Sequence, residues 1–466
     1  WTSSTNPTEE WKHSWSTNYT STPRALHFFT SIYWSENYVE RALMSEQSSR
    51  PPLRPVMAKP QVGDVTAAIA VALLLIPQCL AYAELAGMPA HVGLIAASIP
   101  PIIAAPFGSS RFLQTGPVAL TAIVTFGALS TIETPGTAEY VALGALMATM
   151  LGCFQIVFGA ARWGRVAFLM TPAIVAGFTS GAALLIAASQ LPAALGAQTD
   201  GQVMIRAVRA LQAVETWEPF AILLTAGTAG LVLFGRRRFG RRFPGVLIAV
   251  VVGVLIGRSG SYSAALVGAI PNKLPSIQLD LPWGSFGSIF LSALVISFVQ
   301  FAEPSSIARR FAEQDGEHWD ASRELSGQGI ANLASGLFGA FPVSGSFSRS
   351  SLNRLSGGET RWVGVFVGVF VLAFVSVADV LETLPKSILA ATVIIAVLPL
   401  FNFGTLFQLL KTSRRDGLLG IGTLMCTLVM APRIHFAVIA AVSASLALGM
   451  ADKLRERRSA KRPRQP

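Results

Sequence analysis

Residues 339–353 read GAFPVSGSFSRSSLN, and residues 107–122 read FGSSRFLQTGPVALTA. Each stretch places glycine and proline, then hydroxyl residues, ahead of a helical run inside an otherwise apolar chain, and the two lie about 230 residues apart. A helix that begins in mid-membrane leaves its first N–H groups unpaired and carries the positive end of its macrodipole. Two such ends facing each other form a cage for an anion. The spacing predicts one half-helix starting near Thr115, Gly116, Pro117 and Val118, and the other near Ser346, Phe347, Ser348 and Arg349. Ser346 and Ser348 add hydroxyl donors and Arg349 adds fixed positive potential, since a charge in hydrocarbon faces a cavity or a partner. The competing reading has Arg349 snorkelling to an interface while the serines cap a helix.

The rest of the chain supplies the membrane. Of 466 residues, 52% are hydrophobic and 13% charged, against about a quarter charged in a soluble domain. Apolar runs recur from Val65 to Met450, among them Val65–Ala83, Val141–Ala161, Val166–Ala188, Trp362–Val380 and Ile434–Met450. Each has the length that spans about 30 Å of hydrocarbon as a helix. No ten-residue alternation suggests a barrel. The expectation is an all-α polytopic membrane protein with about fourteen transmembrane segments. Long helices starting near Asp64 and Ser288 are separated by nearly the same interval as the two broken stretches. That spacing predicts two seven-span repeats, and because seven is odd the second lies inverted, with half-helices and a site at the midplane.

The net charge of +11 is topological. Basic residues cluster at Arg54 and Lys59, Arg162 and Arg165, Arg236–Arg242, Arg309 and Arg310, Lys411 to Arg415, and Lys453–Arg464. Each cluster precedes the first span or follows an even-numbered one, which puts both termini in the cytoplasm. Loops that set topology and touch anionic lipid account for this pattern, and nucleic acid is not an expected partner. Cys79, Cys153 and Cys426 fall within spans and have neither metal-ligand nor disulfide spacing. Residues 1–60 are polar, rich in Ser, Thr, Trp and Asn, and read as a disordered or non-native extension preceding a transmembrane unit over 61–450. Residues 451–466 form a basic cytoplasmic tail.

Among polar residues in the spans, Glu303 follows the apolar run Ile289–Ala302 and precedes Pro304, deep enough to carry a proton. A structural pair with Arg349 or Arg309 is its alternative role. Gln78, beside Pro77, offers a neutral amide to a ligand or a helix–helix hydrogen bond. Glu84 lies in the first helix, Asp379 and Glu382 close the eleventh, and His91 and His318 lie near loops with no assigned role. No nucleophile–base constellation, phosphate loop or metal spacing is present, so neither an enzyme nor a cofactor is expected.

Two long motifs carry a family resemblance. The stretch LIPQCLAYAELAGMPAHVGLIAASIPPIIAAPFGSSRFLQTGPVAL resembles the first three helices of the SulP sulfate permease family, also called solute carrier family 26. FAEPSSIARRFAEQDGEHWDASRELSGQGIANLASGLFGAFPVSGSFSRSSLNRLSGGET is similar to the eighth to tenth helices of its plant-type sulfate transporters. The resemblance covers about Asp64 to Met450. It implies the seven-plus-seven inverted repeat shared with uracil permeases, with a core of helices 1–4 and 8–11 and a gate of helices 5–7 and 12–14. It places a small anion, sulfate foremost, between the third and tenth helices near Gln78, Gly116–Val118 and Ser348, with Arg349 supplying potential and Glu303 associated with proton coupling. It implies secondary active sulfate uptake with a proton by an elevator-like alternation, in the plasma (cell inner) membrane, as a monomer or homodimer. Bicarbonate or dicarboxylate transport coupled to sodium or protons, and anion exchange, are the alternatives on the same scaffold. Three departures stand out. The sixteen residues after Met450 are too few for the C-terminal STAS domain usual in the family, which reads as a short form or a truncation. Ile95 stands where relatives carry tyrosine, and Pro304 follows the acidic residue.

Overall fold

The structure, a computed structural model, describes residues 57–448 except 164–170, 200, 241–242, 261, 272–273, 432, 435 and 446. The expected extension over 1–60, apart from its last four residues, and the basic tail over 451–466 lie outside the described residues, as do Arg54, Arg165, Arg241 and Arg242. Helices α1 (Val62–Leu85) and α2 (Ala90–Ala104) lead into strand β1 (Gln114–Gly116) and α3 (Ala119–Leu129). Then come α4 (Ala138–Ala160), α5 (Pro172–Leu195), α6 (Val203–Gln212), α7 (Pro219–Phe239) and α8 (Gly245–Arg258). Helices α9 (Phe286–Asp315) and α10 (Ala321–Leu337) precede strand β2 (Ser344–Ser346), α11 (Phe347–Leu355) and α12 (Trp362–Val375). The chain continues through α13 (Lys386–Val397), α14 (Phe403–Thr412), α15 (Arg414–Val429) and α16 (Phe436–Ser445). Among the described residues six helical stretches are long and apolar enough to cross a membrane, and five shorter helices are apolar.

Three corrections to the sequence reading follow. The fold is not purely α, because β1 and β2 form a two-stranded sheet. The span expected over Val166–Ala188 is a helix over Pro172–Leu195, since the Thr171 hydroxyl accepts from Ile174 N–H and Pro172 occupies the first turn. Helix α6 was not anticipated. It packs Val203, Ala207 and Ala210 inward beside α5 and exposes Met204, Ile205 and Val208, a pattern too short and too basic to read as a span.

The helices pack in two groups. In one, α4 lies along α10, α12 along α2 and α1, and α9 along α4; in the other, α5 packs with α13, α15 and α7. Glycines bring α4 and α10 into backbone contact. A Cβ at Gly152 or Gly159 would run into α10, and one at Gly329 or Gly336 into α4.

A buried carboxylate fastens the first helix. Asp64, fully buried, accepts from Gln61 N–H (2.8 Å), Glu359 N–H (2.8 Å), Thr360 N–H (2.8 Å) and the Thr360 hydroxyl (2.6 Å). It therefore caps its own helix and holds the loop that follows α11, and Gly63 lets that loop approach because a Cβ there would meet the Gly357 carbonyl. Replacing Asp64 with Ala strands three backbone donors and a hydroxyl. The expected cost is about 2–5 kcal/mol, read as a lower melting temperature in detergent, with Asp64→Asn in between. An unchanged melting temperature in Asp64→Ala would show that the carboxylate carries no stability.

Candidate functional site

The segments before α3 and α11 are extended: Pro117 disfavours helical backbone at Gly116, and Gly345 lets β2 lie close against Leu113 and Pro304, where a Cβ would not fit. In hydrocarbon an extended backbone must find partners, and these two find each other. β1 and β2 pair antiparallel, Gln114 with Ser346, Thr115 with Gly345 and Gly116 with Ser344. Two further bonds tighten the junction, from Gln114 N–H to the Ser350 hydroxyl (2.9 Å) and from that hydroxyl to Ser346 C=O (2.6 Å). The predicted helix starts hold to within a residue or so. Val118 is the N-cap of α3, Ser346 is the N-cap of α11, and Thr115 and Gly116 lie in the strand.

Arg349 stands in the first turn of α11 and is 1% exposed, which removes the snorkelling alternative. Its Nη1 donates to the Pro117 carbonyl at 2.8 Å, tying one helix tip to the other. Nε and Nη2 are buried and have no hydrogen-bond partner in the protein. Gly116 admits the guanidinium, since a Cβ there would sit 3.4 Å from Nη2. Nor do the serines act as simple caps. Ser346 makes no side-chain cap bond, its hydroxyl lies 3.3 Å from that of Ser348, and Ser348 is exposed. Phe347 is half-buried and packs with Phe112, Ile307 and Phe311.

Glu303 is half-buried on α9. It interacts with the backbone N–H of Phe347 and with the charge of Arg349, without a contact ion pair. Arg309 pairs instead with Glu313 at 2.9 Å. Pro304, the departure from the family pattern, has a local purpose. It cannot donate to the Gln300 carbonyl, and the Ser344 hydroxyl takes that carbonyl at 2.9 Å, docking β2 on the helix beside Glu303. From α1, Gln78 is 5% exposed and its Oε1 has no partner, so the expected helix–helix hydrogen bond through that oxygen is not made. One turn on, Tyr82 lies within electrostatic reach of both Arg349 and Glu303. Sequence reasoning did not select Tyr82, although its spacing of four from Gln78 puts both on one helix face.

A second set of residues that sequence reasoning missed holds the strands in place. Gln328 donates to the Thr115 hydroxyl (2.9 Å), Val343 N–H to Asn332 Oδ1 (2.8 Å), Asn332 Nδ2 to Gln155 Oε1 (3.0 Å), and Gln155 Nε2 to Ser297 C=O (2.9 Å). Three buried amides from α4 and α10 thus tie the Thr115 hydroxyl, the approach to β2 and the α9 backbone into one network. The only sequence signal was polar residues in apolar helices.

Chemically, the site gathers donors at two helix tips around one guanidinium with unsatisfied N–H groups. Among the described residues no group of His, Cys, Asp and Glu could hold a metal ion. Such a site can bind and strip water from an anion, and it contains no pairing of nucleophile and base.

Comparison with known proteins agrees. Residues 62–423 match the sulfate permease family. The chain is 31% identical over 389 residues to the "Probable sulfate transporter MT1781" of Mycobacterium tuberculosis, covering 82% of this chain and 69% of that protein. It is 30% identical over 404 residues to "Sulfate transporter 4.1, chloroplastic" of Arabidopsis thaliana, covering 82% and 57%. Its fold superposes on the transmembrane domain of the cyanobacterial bicarbonate transporter BicA with a TM-score of 0.73, at 24% identity, over 81% of this chain and 97% of that one. With murine Slc26a9 in an inward-facing state the TM-score is 0.78, at 17% identity, over 95% and 75%. The chain is a member of the sulfate permease (SulP, solute carrier 26) family, integral membrane anion transporters and not enzymes.

Proposed function

We propose that this protein is a secondary active transporter that takes up sulfate with protons, binding the anion between the tips of α3 and α11. The observation that carries the reading is Arg349, buried, bonded to the opposite tip at Pro117 and left with two unpartnered nitrogens. Gln78, Thr115 to Val118, and Ser346 to Ser348 complete the lining. Sulfate entering a negative cytoplasm carries two charges uphill, each costing about 2.3 kcal/mol per 100 mV. A proton on Glu303 offsets part of this and also relieves that carboxylate of facing an anion across the same tip.

In this proposal the chain crosses the plasma membrane fourteen times as two inverted seven-span repeats, with both termini cytoplasmic. Helices α1–α4 and α9–α12 form a core that moves elevator-like past a gate of α5, α7, α8 and α13–α16. The two packing groups support that division.

Purified protein in liposomes tests the anion and the coupling together. Sulfate uptake should rise when the outside is made acidic relative to the inside. Arg349→Gln should lower kcat/KM for sulfate more than tenfold, and Glu303→Gln should transport without responding to the gradient. Uptake that ignores the gradient in the unmodified protein refutes proton coupling. Bicarbonate or a dicarboxylate outcompeting sulfate refutes the choice of anion.

The alternation can be tested at the Glu84–Lys386 ion pair, 2.9 Å long, which joins α1 to α13 and so links core to gate. Glu84 sits in the last turn of α1 and Lys386 at the start of α13, each at the helix end whose macrodipole disfavours its charge. Neither charge is well placed without the other. Exchanging them (Glu84→Lys with Lys386→Glu) keeps the pair and reverses both dipole terms. The swapped protein should melt higher and turn over at least twofold more slowly than the original. Faster or unchanged turnover with a higher melting temperature would mean that this contact does not open during transport.

A further inference from the structure

Beyond the anion cage, four buried polar atoms on two adjacent helices lack partners. Gln300 on α9 is 3% exposed, and neither its Oε1 nor its Nε2 meets a hydrogen-bond partner in the protein. Thr121 and Thr125 on α3 are 1% and 0% exposed, and both hydroxyls are unpartnered. Buried helical hydroxyls ordinarily bond back to a carbonyl one turn earlier, as Thr149 does to Ala145 and Thr427 to Thr423. Thr121 and Thr125, four apart, share one face of α3, and α3 packs on α9.

Their place relative to Glu303 is fixed by contacts already described. Asp315, at the C-terminal end of α9, pairs with Arg111 in the loop before β1 (3.3 Å) and with Arg354 (2.5 Å). That end of α9 therefore lies on the side from which the chain enters β1, and α3 leaves the strand pair on the other side. Gln300, one turn from Glu303 toward the α9 N-terminus, lies on the side toward which Thr121 and Thr125 extend. Its backbone carbonyl is held by Ser344, whose strand partner is Gly116, so Gln300 is pinned close to the start of α3.

From this geometry we infer a hydrated polar site between α3 and α9, formed by Gln300, Thr121 and Thr125, that carries protons between the outer side and Glu303. Water is the occupant that fits the chemistry. The three side chains are uncharged, so they offer an ion no compensation. Each amide or hydroxyl can both donate and accept, and a buried water takes two to four such partners. Leaving four polar atoms unpaired in hydrocarbon costs free energy for each one. The groups that face Glu303 are the Phe347 N–H and Arg349 on α11 and Tyr82 on α1. Arg349 and the Phe347 N–H are donors that relay no proton, the Tyr82 hydroxyl can relay one only within the site, and a water chain through Gln300 gives the route along α3. A protonated water gives up one O–H bond as a new O–H bond forms on a Glu303 carboxylate oxygen, leaving neutral water, and the proton leaves by the reverse step.

The inference rests on the proton-coupled reading, and two transport modes separate them. Net uptake under a pH gradient requires the proton to reach and leave Glu303. Exchange of labelled for unlabelled sulfate at equal concentrations and equal pH shuttles the loaded carrier and requires neither step. In Gln300→Leu, and independently in Thr121→Val with Thr125→Val, net uptake should fall at least fivefold relative to exchange, with KM for sulfate within twofold and a melting temperature no lower than that of the original. Equal effects on uptake and exchange, or no effect on either, would overturn the inference while leaving proton coupling intact. Failure of the proton-coupled reading shows itself separately, in unmodified protein that ignores the gradient.

Discussion

Two short extended segments that meet inside an apolar helical fold set the terms for the rest of this structure. Backbone at membrane depth has to bond to something, and Gln114–Gly116 and Ser344–Ser346 bond to one another. Everything around them serves that meeting. Pro117 and the glycines suit extended, closely packed backbone, Gln328 and Asn332 hold Thr115 and the approach to β2 from behind, and Ser344 rivets β2 to the carbonyl that Pro304 releases. The same arrangement brings the starts of two helices together, joined by the bond from Arg349 to the Pro117 carbonyl, and the proposed anion site uses that junction.

Arg349 shows how charge is accommodated there. A guanidinium this deeply buried is expensive, and the protein offsets the cost with one backbone carbonyl and the nearby Glu303 carboxylate on α9, and with no hydrogen-bond partner for the remaining nitrogens. Pairing Glu303 directly with Arg349 would have neutralised the potential that an anion feels. The carboxylate instead meets the Phe347 N–H, near enough to moderate the charge and not close enough to cancel it.

Much of this was legible in the sequence. Broken stretches at 107–122 and 339–353 and the burial of Arg349 follow from Gly, Pro and charge standing in apolar surroundings. Helix starts came out near their observed positions because proline and hydroxyl residues mark them locally. Pairing of β1 with β2 was not legible, because three residues are too few for any periodicity and the partner lies over two hundred residues away. Nor were Asp64 and the amides of α4 and α10, whose meaning depends on what the fold brings to them. Tyr82 went unselected because an aromatic in an apolar helix reads as packing.

The glycine seam between α4 and α10 has a mechanical consequence. At Gly152, Gly159, Gly329 and Gly336 the two backbones come so close that no Cβ fits between them, and the two helices behave as a single strut. Asn332 and Gln155 stitch the strut internally, and Asn332 also holds the N–H of Val343, the residue that leads into β2. A displacement of the strand that follows α10 is therefore resisted by both helices at once.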